Sequence, residues 1–549
     1  MNRFSTRLLV GLLAAAPIAA CGGEKEPKAG ELGTSCDPAA SAPCTGALVC
    51  SPKAAGGNVC TLPPGSACEP DNEDRTNGGC SEAAECITPE GGTEPQCLTT
   101  SGNECDPEDA HCTTDLTCAE IENGEHRCFG KVMLAGDVTD TSDNSAIEGA
   151  HVIAVNEEGV AVTDVAETDA MGNYELEVPV KRDEEGVPLS TTFTLKAAAQ
   201  DYQPFPSGVR VALPIDVSEA EAVENTYVVE NALTQVGLIP LEAGDRAMIS
   251  GSITALDGAT SGDVGGVLVV ASGDGTFSGI SDKSGAFTIF NVTDGDYVVK
   301  GYAADIQLDT EDVTVAGAAV EGVTLNQLAD ATTTVTGNVQ IVNAPGGSLT
   351  SVILVVKDTF DADAARGEAP RGLRAPRTGE PDVSGDFRIE GVPAGTYVVL
   401  AAYENDGLVR DPDTNIAGTD FVELEVTAGE AEMAISESFK VTEALATIGP
   451  GVDEPEAVDS APVLEWADDS SEDWYDIHVF DAFGNEVWSV LEMPGVSGSD
   501  TVTLQYEGPL EPGMYYQFRV SSWRSPGGGD AAPISTTEDL RGVFFLPAD

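Results

Sequence analysis

Along most of the chain, apolar residues fall in short runs that alternate with polar ones, as in Phe287-Thr288-Ile289 and Phe387-Arg388-Ile389, and Gly punctuates the runs. A period of two turns one side of an extended chain inward and the other to water, so the pattern predicts half-buried β-strands rather than helices. The abundance of Val and Thr points the same way. One longer unbroken run, Leu8–Ala20, lies behind Arg3 and Arg7. It is too short to span a bilayer and has the place and length of the hydrophobic region of an export signal.

The strand pattern repeats. A first stretch reads "LAGDVTDTSDNSAIEGAHVIAVNEEG" and then "ETDAMGNYELEVPV"; a second reads "ISGSITALDGA", "GGVLVVAS" and "SDKSGAFTIFNVTDGDYVVKGYA"; a third reads "VTGNVQIVNAPGG", "SVILVVKD" and "PDVSGDFRIEGVPAGTYVVLAAY". Each carries a strand opened near a Gly, a β-branched strand, an Asp-x-x-Gly turn and an alternating strand. Asp169, Asp282 and Asp382 are placed to close the turns on the backbone, and Gly172, Gly285 and Gly385 to supply positive φ. The shared core Asp-x-x-Gly-x-aromatic-x-aliphatic and "GVPAGTYVVLAAY" resemble the carboxypeptidase regulatory-like domain. That resemblance implies transthyretin-like Greek-key sandwiches, a carbohydrate-binding-like fold, over residues 131–240, 246–328 and 332–442. The first copy departs by the insertion "KRDEEGVPLSTT", which leaves its later strand order open.

Residues 443–549 open on the Pro- and acid-rich linker "GPGVDEPEAVDSAP". The segment "VLEWADDSSEDWYDIHVF" and the run Leu510-Glu511-Pro512-Gly513-Met514-Tyr515-Tyr516 resemble a fibronectin type III domain. By that resemblance Trp466 is the early core tryptophan and Tyr516 the tyrosine-corner residue. Alternation puts Tyr475, Ile477 and Val479, and likewise Tyr516, Phe518 and Val520, on faces opposite to Trp474, Tyr515 and Trp523. If the first sets face the core, Trp474, Tyr515 and Trp523 are candidate ligand-facing aromatics; the plainer alternative packs them against a neighbouring domain or under a loop. The fold class expected for the whole is therefore mostly β: tandem Greek-key sandwiches, a fibronectin III-like sandwich, and small disulfide-rich modules.

Those modules follow from the cysteines. There are thirteen, and setting Cys21 aside leaves three units of four: Cys36, Cys44, Cys50 and Cys60; Cys68, Cys80, Cys86 and Cys97; Cys105, Cys112, Cys118 and Cys128. The middle gap is constant, a Gly precedes each first cysteine by a few residues, and large apolar residues are scarce, so units 36–60, 68–97 and 105–128 need staples. Four cysteines allow three pairings, which spacing does not decide. The units resemble small extracellular modules of the Dickkopf and EGF-like kind, which implies first with third and second with fourth. Zinc is the competing reading, but no C-x-x-C pair is present and His111 and His126 are the only histidines nearby.

The remaining cysteine closes Ile18-Ala19-Ala20-Cys21, which resembles a bacterial lipobox. The resemblance implies a signal peptide over 1–20, a lipid on Cys21, a linker over 21–35 and a membrane held through the acyl chains as partner. Gly22 rather than Asp after the cysteine lacks the family's inner-membrane retention signal, so the expected location is the outer membrane or cell surface of a Gram-negative bacterium.

Charge narrows the partners. With 93 acidic against 26 basic side chains the net charge is −67, which argues against nucleic acid, whose phosphates demand Lys and Arg. No cofactor is expected beyond weakly bound calcium. Asp411, Asp413 and Asn415 stand at alternate positions, as in a calcium loop, but Ile416 takes the place that an EF-hand gives to Gly. In "DADAARGEAPRGLRAPRTGEP" four arginines, Arg366, Arg371, Arg374 and Arg377, crowd a segment whose Pro, Gly and Ala content predicts a flexible insertion; binding of acidic polymers is its alternative role. The histidines His111, His126, His151 and His478 fall in no H-E-x-x-H or H-x-x-E arrangement, and no G-x-S-x-G elbow occurs, so an enzyme is not expected. The function expected is a non-enzymatic adhesive or scaffolding surface protein. The alternatives are a carbohydrate-binding surface protein and an accessory subunit of a surface or secreted enzyme, with a protein or polysaccharide as ligand.

Overall fold

The computed structural model describes residues 28 and 31–548, apart from 42, 71–75, 90, 257–263, 343–349, 363–365, 380, 404–420, 436–438, 443, 470, 497–499, 526–530 and 539. The described residues form β-strands and short 3₁₀ turns, with no α-helix among them and none long and apolar enough to cross a membrane. The chain divides into two compact units, one of residues 1–119 with 124–129 and one of 120–123 with 130–549.

The first unit is the disulfide-rich region. Its bonds are Cys36–Cys50, Cys44–Cys60, Cys68–Cys86, Cys80–Cys97, Cys105–Cys118 and Cys112–Cys128, that is, first with third and second with fourth in every module. Each module is built on one hairpin: Val49–Pro52 with Asn58–Thr61, Ala84–Ile87 with Gln96–Thr99, and Leu116–Glu120 with His126–Gly130. In the first two, the third and fourth cysteines stand directly opposite each other across the hairpin, Cys50 with Cys60 and Cys86 with Cys97, yet each reaches away to an earlier cysteine. The glycine ahead of each module has a fixed task. Gly33, Gly65 and Gly102 all adopt positive φ and donate their N–H, each over 2.8 Å, to the carbonyl of the fourth cysteine, Cys60, Cys97 and Cys128. Although sulfurs crowd within 4.8 Å in each module, all are in S–S bonds, so none offers the thiolate that zinc requires.

The second unit contains four β-sandwiches. In the first three the same pairing recurs. The opening strand (Val132–Asp140, Ala247–Thr254, Thr333–Val342) pairs antiparallel with the strand after the Asp-x-x-Gly turn (Asn173–Glu177, Ala286–Val292, Asp386–Val392). It also pairs parallel with the closing strands (Thr226–Val229 and Val236–Leu238; Val320–Asn326; Glu432–Ala434 and Phe439–Thr442). The facing sheet pairs His151–Val155 with Thr192–Ala198, Leu268–Gly273 with Gly295–Tyr302, and Thr350–Val356 with Gly395–Tyr403. The insertion in the first copy therefore leaves its strand order like that of the others.

Alternation explains each core. Val132, Leu134 and Val138 face Val152, Ala154 and Leu195, all buried, and Phe287, Ile289, Val299 and Leu325 do the same in the second sandwich. In the second and third the apolar surfaces run together, with Leu268, Val270 and Tyr302 joining Val335, Leu354 and Tyr397 in one cluster. The fourth sandwich sets Thr447–Gly449, Val463–Ala467 and Thr501–Gln505 against a six-stranded sheet centred on Trp474–Asp481 and Tyr515–Arg524. Trp466, Tyr475, Ile477, Val479, Phe518 and Val520 are all fully buried between the two layers.

Candidate functional site

The segment between Thr350–Val356 and Asp386–Val392 folds onto its sandwich, where a flexible insertion was expected from composition. Arg374–Ala375 adds a short antiparallel strand beside Val352–Ile353, and Asp361 and Arg366 exchange backbone hydrogen bonds of 2.7 and 3.0 Å. The local reason is a pattern hidden among the prolines and glycines: Leu373 and Ala375 alternate with Arg374, and both apolar side chains enter the core. Burying them pins the segment and leaves the intervening arginine on the other side.

That other side borders a cleft of about 630 Å³, walled by the first sandwich (Val155–Gly159, Thr192–Thr194, Lys196 and part of 206–214), the arginine segment, and Phe483, Gly484 and Leu540 of the fourth. Six basic side chains line it: Lys196, Arg210, Arg366, Arg371, Arg374 and Arg377. Four acidic ones, Glu157, Glu158, Asp361 and Glu368, stand against them. Base therefore outnumbers acid here, in a chain with 93 acidic and 26 basic side chains.

The basic groups are held in place. Arg210 is buried, donates to the carbonyls of Gly237 (2.6 Å) and Pro204 (3.1 Å), and lies over the Phe205 ring. Burial brings its pKa down to about 10, with the nearby Tyr515 hydroxyl opposing that shift. Arg374 donates to Ser351 Oγ at 2.7 Å, and burial lowers its pKa as well. Arg366 donates to Gln517 of the fourth sandwich. Arg377 bridges to Asp305 of the second at 2.7 Å and donates to Glu390 O at 2.8 Å, while the Arg371 carbonyl accepts from Ala304 N–H at 3.0 Å. One segment thus touches two other sandwiches and half encloses a cavity. Nothing in local spacing signals Arg210 as a member of this group; the clustered arginines of 366–377 are the part that composition reveals.

Of the aromatics singled out in the sequence, Trp474 and Trp523 sit directly opposite each other on adjacent strands, half-buried, with ring planes 5° apart and centroids 6.2 Å apart. Tyr515 is a correction. It stacks on Phe545 at 4.5 Å and packs with Val209 and Ile239 of the first sandwich and Ala482 and Val543 of its own, so it belongs to an inter-sandwich seam rather than to a ligand surface. Gly385 is another. Its φ is not positive, in contrast to Gly172 (81°) and Gly285 (88°), because Val383 bridges to Thr350 and opens the third turn. Histidines make local pairs with single carboxylates, His478 with Glu486 at 2.7 Å, His151 with Glu167 at 3.7 Å and His111 with Asp109 at 3.1 Å. Cys21 and the loop of Asp411, Asp413 and Asn415 lie outside the described residues.

No family model and no curated protein matches the chain. Among solved structures it is similar to the Bacillus anthracis TIE protein, at 12% identity over 73% of this chain and 68% of that one, with a TM-score of 0.14. It is also similar to the shaft pilin SpaA of Lactobacillus rhamnosus GG (10% identity, 36% of this chain, 98% of that one, TM-score 0.15). A third is BcpA, the major pilin subunit of Bacillus cereus (11%, 56%, 98%, TM-score 0.15).

Proposed function

We propose that the protein is a non-enzymatic, lipid-anchored component of the bacterial cell envelope that holds a block of β-sandwiches outside the membrane, in an adhesive or scaffolding role. The observation that carries this reading is the six-disulfide region, a device of oxidising compartments, which follows in the sequence a stretch resembling an export signal with a lipobox and precedes the sandwich unit. In this reading residues 131–240, 246–328 and 332–442 are carboxypeptidase regulatory-like domains and 443–549 a fibronectin type III-like domain. The three-fold recurrence of one strand pairing supports the first assignment. The buried Trp466, and the Tyr516 hydroxyl accepting from Glu511 N–H at 3.0 Å, support the second. The anchoring test is metabolic labelling with a clickable fatty acid in a Gram-negative host producing the full chain. Wild type is expected to be labelled and to sediment with outer membranes, and Cys21→Ala to be unlabelled and soluble; equal labelling of the two removes the anchor from the reading.

The parallel indoles of Trp474 and Trp523 favour a second reading, a surface protein that binds carbohydrate, because flat aromatic faces stack on sugar rings. Retention on insoluble polysaccharides is then expected, weakened roughly 2- to 10-fold in Trp523→Ala. A wild-type protein that passes through cellulose, chitin and xylan unretained rules it out.

A further inference from the structure

We propose that the cleft between the first sandwich and the arginine segment is a binding site for a small, multiply charged oxyanion, a molecule of about disaccharide size bearing carboxylates or phosphate. This inference is independent of the lipid anchor and of the indole pair, and it gives the sandwich unit a ligand of defined chemistry.

Three observations converge on it. The first is the local inversion of charge: six of the chain's 26 basic side chains line one cavity with four acidic ones, although acid dominates the chain. In water a few like charges on a surface are screened and uninformative, but walls of low dielectric focus their field into the space between them. The second is size. At about 630 Å³ the cavity falls in the ordinary range for small-molecule sites, ~300–1,000 Å³. The third is preorganisation. Arg374 is set by Ser351, Arg377 by Asp305 and Glu390 O, and Arg210 by Gly237 O and Pro204 O, so ordering the guanidinium groups costs a ligand little.

Guanidinium is suited to this task because its planar fork matches the two oxygens of a carboxylate or phosphate. Burial already disfavours the charged forms of Arg210 and Arg374, and an anion in the cleft restores part of that lost solvation. The four acids tune the site: they limit its net charge, and Glu158 stands exposed on the Asn156–Gly159 turn at its margin.

The test is calorimetric titration of the full-length protein at low ionic strength with inorganic phosphate, citrate and digalacturonate, and with cellobiose as the uncharged counterpart. One-site binding of at least one anion, silence from cellobiose and weakening with added NaCl are expected. Arg371→Gln should weaken binding at least about tenfold, the size of a lost charge-assisted hydrogen bond, and Arg371→Lys should recover part of it. Glu158→Gln should tighten it roughly 1.5- to 5-fold, a gain that misfolding cannot imitate. Digalacturonate binding with phosphate silent identifies a uronate source, and the reverse identifies a phosphate ester. The proposal is overturned if no anion binds at millimolar concentration, if cellobiose binds as well as digalacturonate, or if Glu158→Gln and Arg371→Gln both leave the affinity unchanged.

Discussion

At the scale of single residues, Asn291 shows a polar side chain joining two sandwiches with its hydrogen-bonding capacity filled. Asn291, at a φ of 64°, accepts from Asp201 N–H at 2.6 Å and donates to the carbonyls of Ala199 (3.1 Å) and Tyr202 (2.8 Å), tying the second sandwich to the first. His151 lies at the same boundary, edge-on to Phe290 at 4.9 Å. Burial lowers its pKa below the ordinary 6.5, outweighing the opposing pull of Glu167 and Asp282. Because the unfolded chain takes up a proton more readily than this site does, the neutral ring's contribution is fully present above pH 6.5 and lost as pH falls toward the depressed folded value. Between those limits wild type should lose melting temperature on acidification faster than His151→Gln, as followed by calorimetry across the acid range; parallel profiles would contradict this. Neither residue is legible in the sequence, where His151 reads as an ordinary strand position. Their roles exist only once two sandwiches meet.

At the scale of elements, the hairpins are legible because their chemistry is local. Asp169 accepts from Met171 and Asn173 N–H at 2.8 and 2.9 Å, and Asp282 from Ser284 and Ala286 N–H at 2.9 Å each. Asp481 repeats the device in the fourth sandwich, accepting from Phe483 and Asn485 N–H at 2.9 Å. The third hairpin shows the limit of that reading: its sequence has the same Asp and Gly, but Val383 is claimed by Thr350 and the turn opens. A contrast follows. Gly172→Ala puts a Cβ 2.6 Å from Val138 O at a φ of 81°, and should cost ~1–2 kcal/mol or more. Gly385→Ala meets nothing nearer than 3.9 Å and has no positive φ to strain, so it should be neutral or stabilise by ~0.4–1 kcal/mol through the unfolded state. Urea denaturation of the two variants checks the difference, and equal losses would refute it. The arginine segment errs the other way. Its Pro and Gly content masks the Leu373/Ala375 alternation that docks it, so half of the cleft is readable as a basic cluster and its folded form is not.

At the scale of the whole molecule, tandem sandwiches are legible as a repeat, whereas their fusion into one unit is not. Fusion rests on contacts such as Gln203 with the Ala482 carbonyl, Arg377 with Asp305, and the seam of Val209, Ile239 and Tyr515, each joining residues far apart in the chain. Tyr515 illustrates the difficulty. Strand alternation correctly puts it opposite Tyr516, but which outward face meets water and which meets a neighbour is decided by the assembly of the unit. The parallel pairing of first and closing strands in three successive sandwiches has one more consequence. Parallel neighbours enter and leave at opposite ends, so tension applied through the chain slides one strand along the other and loads all the bonds of the ladder together instead of opening them one by one. A protein tethered at one end and gripped at the other would then yield to a pull only at high force.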